Sequence, residues 1–135
     1  MVGMPPVHLI LGDDEFLTER ARHTIHKAAA EGEANRPELM TLKASEVSEG
    51  EILEATSPSL FGDNRVIVIT DCERAGKEVV DIILRACVNP APGMTMVVVY
   101  SVAAKTLKKK KKAPELVAKL RKIAEVHEVF SLYPN

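Results

Sequence analysis

Two segments, Arg65–Thr70 (RVIVIT) and residues 94–100 (MTMVVVY), are apolar at almost every position and rich in β-branched side chains. A strand with one wet face alternates; a strand that is apolar at successive positions has to be covered on both sides. That requirement points to a sheet held between two layers of helices. The rest of the chain supplies the parts in order. Residues 7–11 (VHLIL) form a short apolar run that stops at Gly12, which predicts a first buried strand. Asp13, Asp14 and Glu15 follow, where acidic groups suit the free N–H groups of a starting helix. Leu17, Ala21, Thr24, Ile25 and Ala28 then share one helical face, and Gly32 and Pro37 close the helix and its loop. Residues 39–42 predict a second strand. Ser48 with Glu51 has the form of a capping box, opening a short helix through Ile52, Leu53 and Ala55. Val79, Val80, Ile83, Leu84 and Cys87 repeat at helical period until the break at 89–93 (NPAPG). Pro114 suits the first turn of a last helix, with Leu116, Val117, Leu120 and Ile123 on its core face. Residues 125–130 (EVHEVF) read as a final, more polar strand near an edge. The expected fold is α/β: a parallel five-stranded sheet with helices on both faces, strands near 7–11, 39–42, 65–70, 94–100 and 126–130, in a single domain over 1–135.

Composition excludes several functions. Eighteen Lys and Arg against nineteen Asp and Glu leave a net charge of -1, so no global field draws the chain to nucleic acid or anionic membrane. No apolar run reaches the roughly 20 residues that cross a bilayer, and the amino-terminal segment lacks the basic start of a signal peptide. The expectation is a cytoplasmic protein without membrane contact. Two cysteines make no disulfide framework: Cys87 continues an apolar stripe, and Cys72 has no His or second Cys at ligand spacing. With no Trp, two Tyr and three Phe, there is no stacking platform for single strands. His23 and His26, three apart on the first helix, read as helix surface rather than a metal pair, and neither His8 nor His127 has a Ser or Cys partner identifiable from spacing. No metal and no cofactor is expected. The lysine run at 108–112 reads as a solvated stretch before a helix, with weak DNA contact as the competing reading.

Parallel sheets bind ligands at the carboxyl ends of their strands, so the turn after the first strand is where a phosphate loop would sit. The Walker A pattern fails there. Counted from Gly12, Leu17 stands for the second Gly, Thr18 for the Lys and Glu19 for the Ser or Thr, and Asp13, Asp14 and Glu15 would repel a triphosphate. Residues 66–73 (VIVITDCE) have the apolar-run-plus-acid form of a Walker B strand, but without a phosphate loop Asp71 has no nucleotide to serve and reads as a residue that caps a turn or the next helix.

The segments HLILGDDEFLTERAR and, some forty residues on, TSPSLFGDNRVIVI resemble the N-terminal domain of the delta subunit of the bacterial DNA polymerase III clamp loader. The resemblance implies an AAA+-like fold with a degenerate phosphate loop, no intrinsic catalytic activity, and a role in binding and opening the beta sliding clamp within the polymerase holoenzyme. It further implies a Leu-Phe contact pair, which falls on Leu60 and Phe61 with Ser59 beside it, and partnership with the gamma/tau and delta prime subunits through lid and collar domains absent from this chain. The lysine run is a departure from the family pattern. Pro58 and Gly62 bracket the pair, and an exposed Leu-Phe at a turn suits an anchor for an apolar pocket. The competing reading is a small flavodoxin- or receiver-like domain holding Mg²⁺ or a phosphorylated ligand at the strand carboxyl ends, with Asp13, Asp14, Glu15 and Asp71 as its acids.

Overall fold

The structure, a computed structural model, describes residues 6–30, 38–57, 64–90, 93–103 and 115–130. Among the described residues five strands, β1 (Val7–Gly12), β2 (Glu38–Lys43), β3 (Arg65–Thr70), β4 (Met94–Ser101) and β5 (Glu125–Val129), alternate with four α-helices, α1 (Glu15–Ala30), α2 (Glu49–Ala55), α3 (Lys77–Val88) and α4 (Glu115–Ile123). The strands form one sheet in the order β2-β3-β4-β1-β5, parallel at every pairing. The expected α/β fold and all five strands are found, each within a residue at either end, with β5 on an edge as its polarity suggested.

The order explains the two layers. The step from β1 to β2 crosses the sheet in one direction and the later steps cross it in the other. Right-handed crossovers then put α1 on one face and α2, α3 and α4 on the opposite one. Alternation along the strands feeds both layers: Ile10, Val66, Val68, Val97, Val99 and Val129 pack with Ile25 of α1, whereas Leu9, Ile67, Ile69, Met96 and Val98 face Ile52, Ile83 and Leu120. Cys72 and Cys87 are buried in the second layer.

Local signals act where they were read. Ser48 Oγ accepts from Glu51 N at 3.2 Å and the Glu51 carboxylate accepts from Ser48 N at 3.4 Å, closing the capping box. Two readings of helix faces are corrected. Thr24 is exposed, its hydroxyl donating to Arg20 O at 2.9 Å within its own helix. Ile123, expected in the core, is 43% exposed, because it is the last residue of α4 and lies with Val88 along a groove between α3 and α4. Gly32, Pro37 and Pro114 lie outside the described residues. The flavodoxin- or receiver-like reading is also corrected: that order places β1 between β2 and β3, and here β1 lies between β4 and β5.

Candidate functional site

The carboxyl end of β1 is built around one residue. Gly12 has φ +153°, and a Cβ placed on it would stand 2.4 Å from the carbonyl oxygen of Val129. Only glycine lets β1 and β5 close to this distance. The same Val129 oxygen accepts from Asp14 N at 2.9 Å, and Gly12 O accepts from Val102 N at 3.0 Å. Asp14 then opens α1, its carboxylate accepting from Leu17 N at 2.9 Å. In place of a glycine-rich cradle for phosphate, the turn is cross-linked to its neighbours and spends an acidic side chain on the helix start.

Beside it lies a cleft of about 280 Å³ whose charged lining is Asp13, Glu15, Glu19, Arg22 and Asp71. Arg22 is ion-paired with Glu19 at 2.7 Å, so the cation is already committed. Asp71 has left-handed backbone (φ 56°), which makes the turn out of β3, but its side chain caps no helix. Its carboxylate accepts from Ser45 Oγ at 3.2 Å and lies 3.8 Å from Lys43 Nζ, tying the turn to the segment after β2. The expected turn role is therefore performed by the backbone, and the carboxylate acts across to a neighbouring loop. Carboxylates outnumber cations in this cleft, an environment that repels polyphosphate.

Ser59, Leu60 and Phe61 lie outside the described residues, as does the lysine run 108–112. Both flanks of the first segment are described. On one side α2 ends with Thr56 Oγ1 donating to Ile52 O at 2.8 Å and Ser57 Oγ to Leu53 O at 2.7 Å. On the other, Asn64 O accepts from Glu38 N at 3.1 Å at the start of the β2–β3 ladder. Arg65 joins the flanks, its guanidinium donating to Ala55 O at 3.0 Å, the carbonyl end of α2. The described residues on either side of segment 58–63 are thus tied down.

Burial pushes the Cys87 thiol up to about 12 and holds Cys72 well above the ordinary thiol range, with Glu73 adding to the Cys72 shift. Both are neutral at physiological pH and sit in the core, Cys87 as its apolar stripe suggested. His23 is exposed, and His26 has its Nε2 buried without a hydrogen-bond partner. The spacing gave no partner to His8 or His127. The β1–β5 register aligns His8 with Glu125 and Ile10 with His127, which brings His8 Nδ1 to 3.1 Å from His127 Nε2 and 3.4 Å from Glu125 Oε2. Among the described residues no helix is long and apolar enough to cross a membrane.

The sequence model of the family described as DNA polymerase III, delta subunit, matches residues 8–130. Among solved structures, the chain is similar to the DNA clamp loader delta protein of Bacillus subtilis, with a TM-score of 0.69 and 16% identity over 96% of this chain and 39% of that one. It is also similar to a DNA polymerase III gamma subunit-related protein of Thermotoga maritima, with a TM-score of 0.58 and 15% identity over 98% of this chain and 43% of that one. At such identities the likeness is one of fold, and that fold is the parallel five-stranded α/β sheet read from the sequence. The chain spans less than half the length of either structure. No curated protein matches it.

Proposed function

Because the chain belongs to the family of DNA polymerase III delta subunits, we propose that it is a non-catalytic module that binds and opens the beta sliding clamp, with Leu60 and Phe61 as the apolar contact and Ser59 beside them. The family match over residues 8–130 carries this reading. The placement of Thr56, Ser57, Asn64 and Arg65 supports it, since a contact segment held at both ends loses less freedom on docking than a free tail. On this reading the protein works in the cytoplasm with the gamma/tau and delta prime subunits of the loader. The deciding experiment is calorimetric titration of the chain with the sliding clamp of the same organism: saturable binding supports the proposal, and its absence sinks it.

The proposal assigns no ATP chemistry to this chain. The turn after β1 has neither the lysine nor the second glycine of a phosphate loop, and the adjoining cleft carries Asp13, Glu15, Glu19 and Asp71. Titration with ATP and Mg²⁺ is expected to give no saturable heat at micromolar concentrations. A micromolar dissociation constant would refute this expectation.

A further inference from the structure

At the opposite, amino-terminal end of the strands stands a cluster that clamp binding does not use. His8 is the second residue of β1, and Glu125 and His127 are the first and third of β5. One ligand atom from each lies within 4.8 Å of the other two, and no other such trio of His, Cys, Asp or Glu occurs among the described residues. We propose that His8, His127 and Glu125 form a binding site for a divalent transition-metal ion of the zinc type.

Two observations carry this. The first is spacing. Donors bound tetrahedrally at about 2.0–2.1 Å from zinc stand roughly 3.3 Å from one another. The His8 Nδ1 to His127 Nε2 and His8 Nδ1 to Glu125 Oε2 separations are 3.1 and 3.4 Å. The three donor atoms also lie within 4.8 Å of one another, so the Glu125 and His127 donors stand near each other as well as near His8. With the imidazole protons on His8 Nε2 and His127 Nδ1, two lone pairs and a carboxylate face the same space, and a dication satisfies all three where one proton serves fewer. Two imidazoles and a carboxylate are a zinc donor set that leaves a fourth position open.

The second observation is support and access. The His8 side chain is 1% exposed on a strand paired on both sides, a rigid floor for the site; the Glu125 side chain is 49% exposed on an edge strand, an entry from solvent. A bound ion would fasten the edge strand β5 to the centre of the sheet. Protons compete with the ion for the same lone pairs, so acid would weaken its binding.

The test is titration of the full chain, stripped with a chelator, with Zn²⁺ by calorimetry and with Co²⁺ by visible absorption. One ion per chain is expected, with the intense bands of tetrahedral cobalt, and Zn²⁺ should raise the melting temperature. His127→Ala should weaken Zn²⁺ by more than the roughly 100-fold upper range for removing a mere outer-shell partner. Glu125→Gln keeps the shape of an exposed side chain, should melt like the parent without metal, and should also weaken the ion. A His23→Ala, His26→Ala double variant should bind as the parent does. Absence of one-to-one binding overturns the proposal, as does unchanged affinity in the Glu125 and His127 variants, or a loss confined to the His23, His26 variant.

Discussion

Replacing Leu60 and Phe61 together by alanine is expected to weaken sliding-clamp binding by roughly thirtyfold or more while leaving the thermal melt in place. The magnitude follows from what such residues do at interfaces. An aromatic anchor that fills a desolvated pocket costs about 2 kcal/mol or more on truncation, and each 1.4 kcal/mol is tenfold in affinity. The unchanged melt follows from an anchor outside the core: a surface substitution away from caps and buried groups shifts stability by about 0.5 kcal/mol or less. A Phe61 packed beneath its own loop would behave the other way, losing about 3–5 kcal/mol of folding stability. Melting and clamp titration on the same double variant separate the two. A large fall in melting temperature, or undiminished clamp binding, removes Leu60 and Phe61 from the proposal while leaving the family membership untouched.

Gly12→Ala is expected to destabilise the chain by about 3 kcal/mol, the sum of a strained backbone, of order 1–3 kcal/mol, and overpacking of a similar size. The new Cβ would meet Val129 O at 2.4 Å and Val129 C at 2.5 Å. These are backbone atoms, so no side chain can rotate out of the way. The carbonyl is also held by the Asp14 N–H, so relief would cost a hydrogen bond at the start of α1. Thermal melting should fall by roughly 10 °C for a chain of this size. Gly50→Ala is the matched control. Gly50 lies in α2, where the nearest atom to a new Cβ is Ser48 Oγ at 4.0 Å, and removing a helical glycine should stabilise by roughly 0.5–1 kcal/mol. Equal effects at the two positions would refute the close-approach argument.

Much of the fold was legible because burial on two faces leaves a local mark. The runs at 65–70 and 94–100 had to be central strands, and β3 and β4 are internal to the sheet with Ile67, Ile69, Met96, Val97 and Val98 fully or almost fully buried. The helix signal at Ser48 and Glu51 was local too, since both partners of a capping box lie within one turn. Strand order was not legible: nothing near Val7 says that its neighbours are Met96 on one side and the segment from Glu125 on the other. The same limit hid the His8–His127 pair, whose members are 119 residues apart in sequence. It also misassigned the Asp71 carboxylate, which reaches across to Ser45 and Lys43 rather than to its own turn. Thr24 shows the weakness of periodicity alone: it falls on the expected face, but its hydroxyl finds a backbone partner and the residue stays in water.

The place of β1 between β4 and β5 has a consequence for how the chain is made. Of the five strands β1 is synthesised first, yet it gains its second neighbour only when β5 is made. Val7 has no partner until Met96 is synthesised, and His8 waits longer for Glu125. Until then an apolar strand, with Leu9, Ile10 and Leu11 destined for zero exposure, has both of its edges open. Pairings so remote in sequence form late and slowly, and an unpaired apolar edge invites pairing with another chain. The β2–β3–β4 sheet can assemble first, because its pairings need only residues 38–101. Insertion of β1 against β4, sealed by β5 over Gly12, is then the closing step, and a nascent chain halted before Val129 would carry its amino-terminal strand as a sticky end.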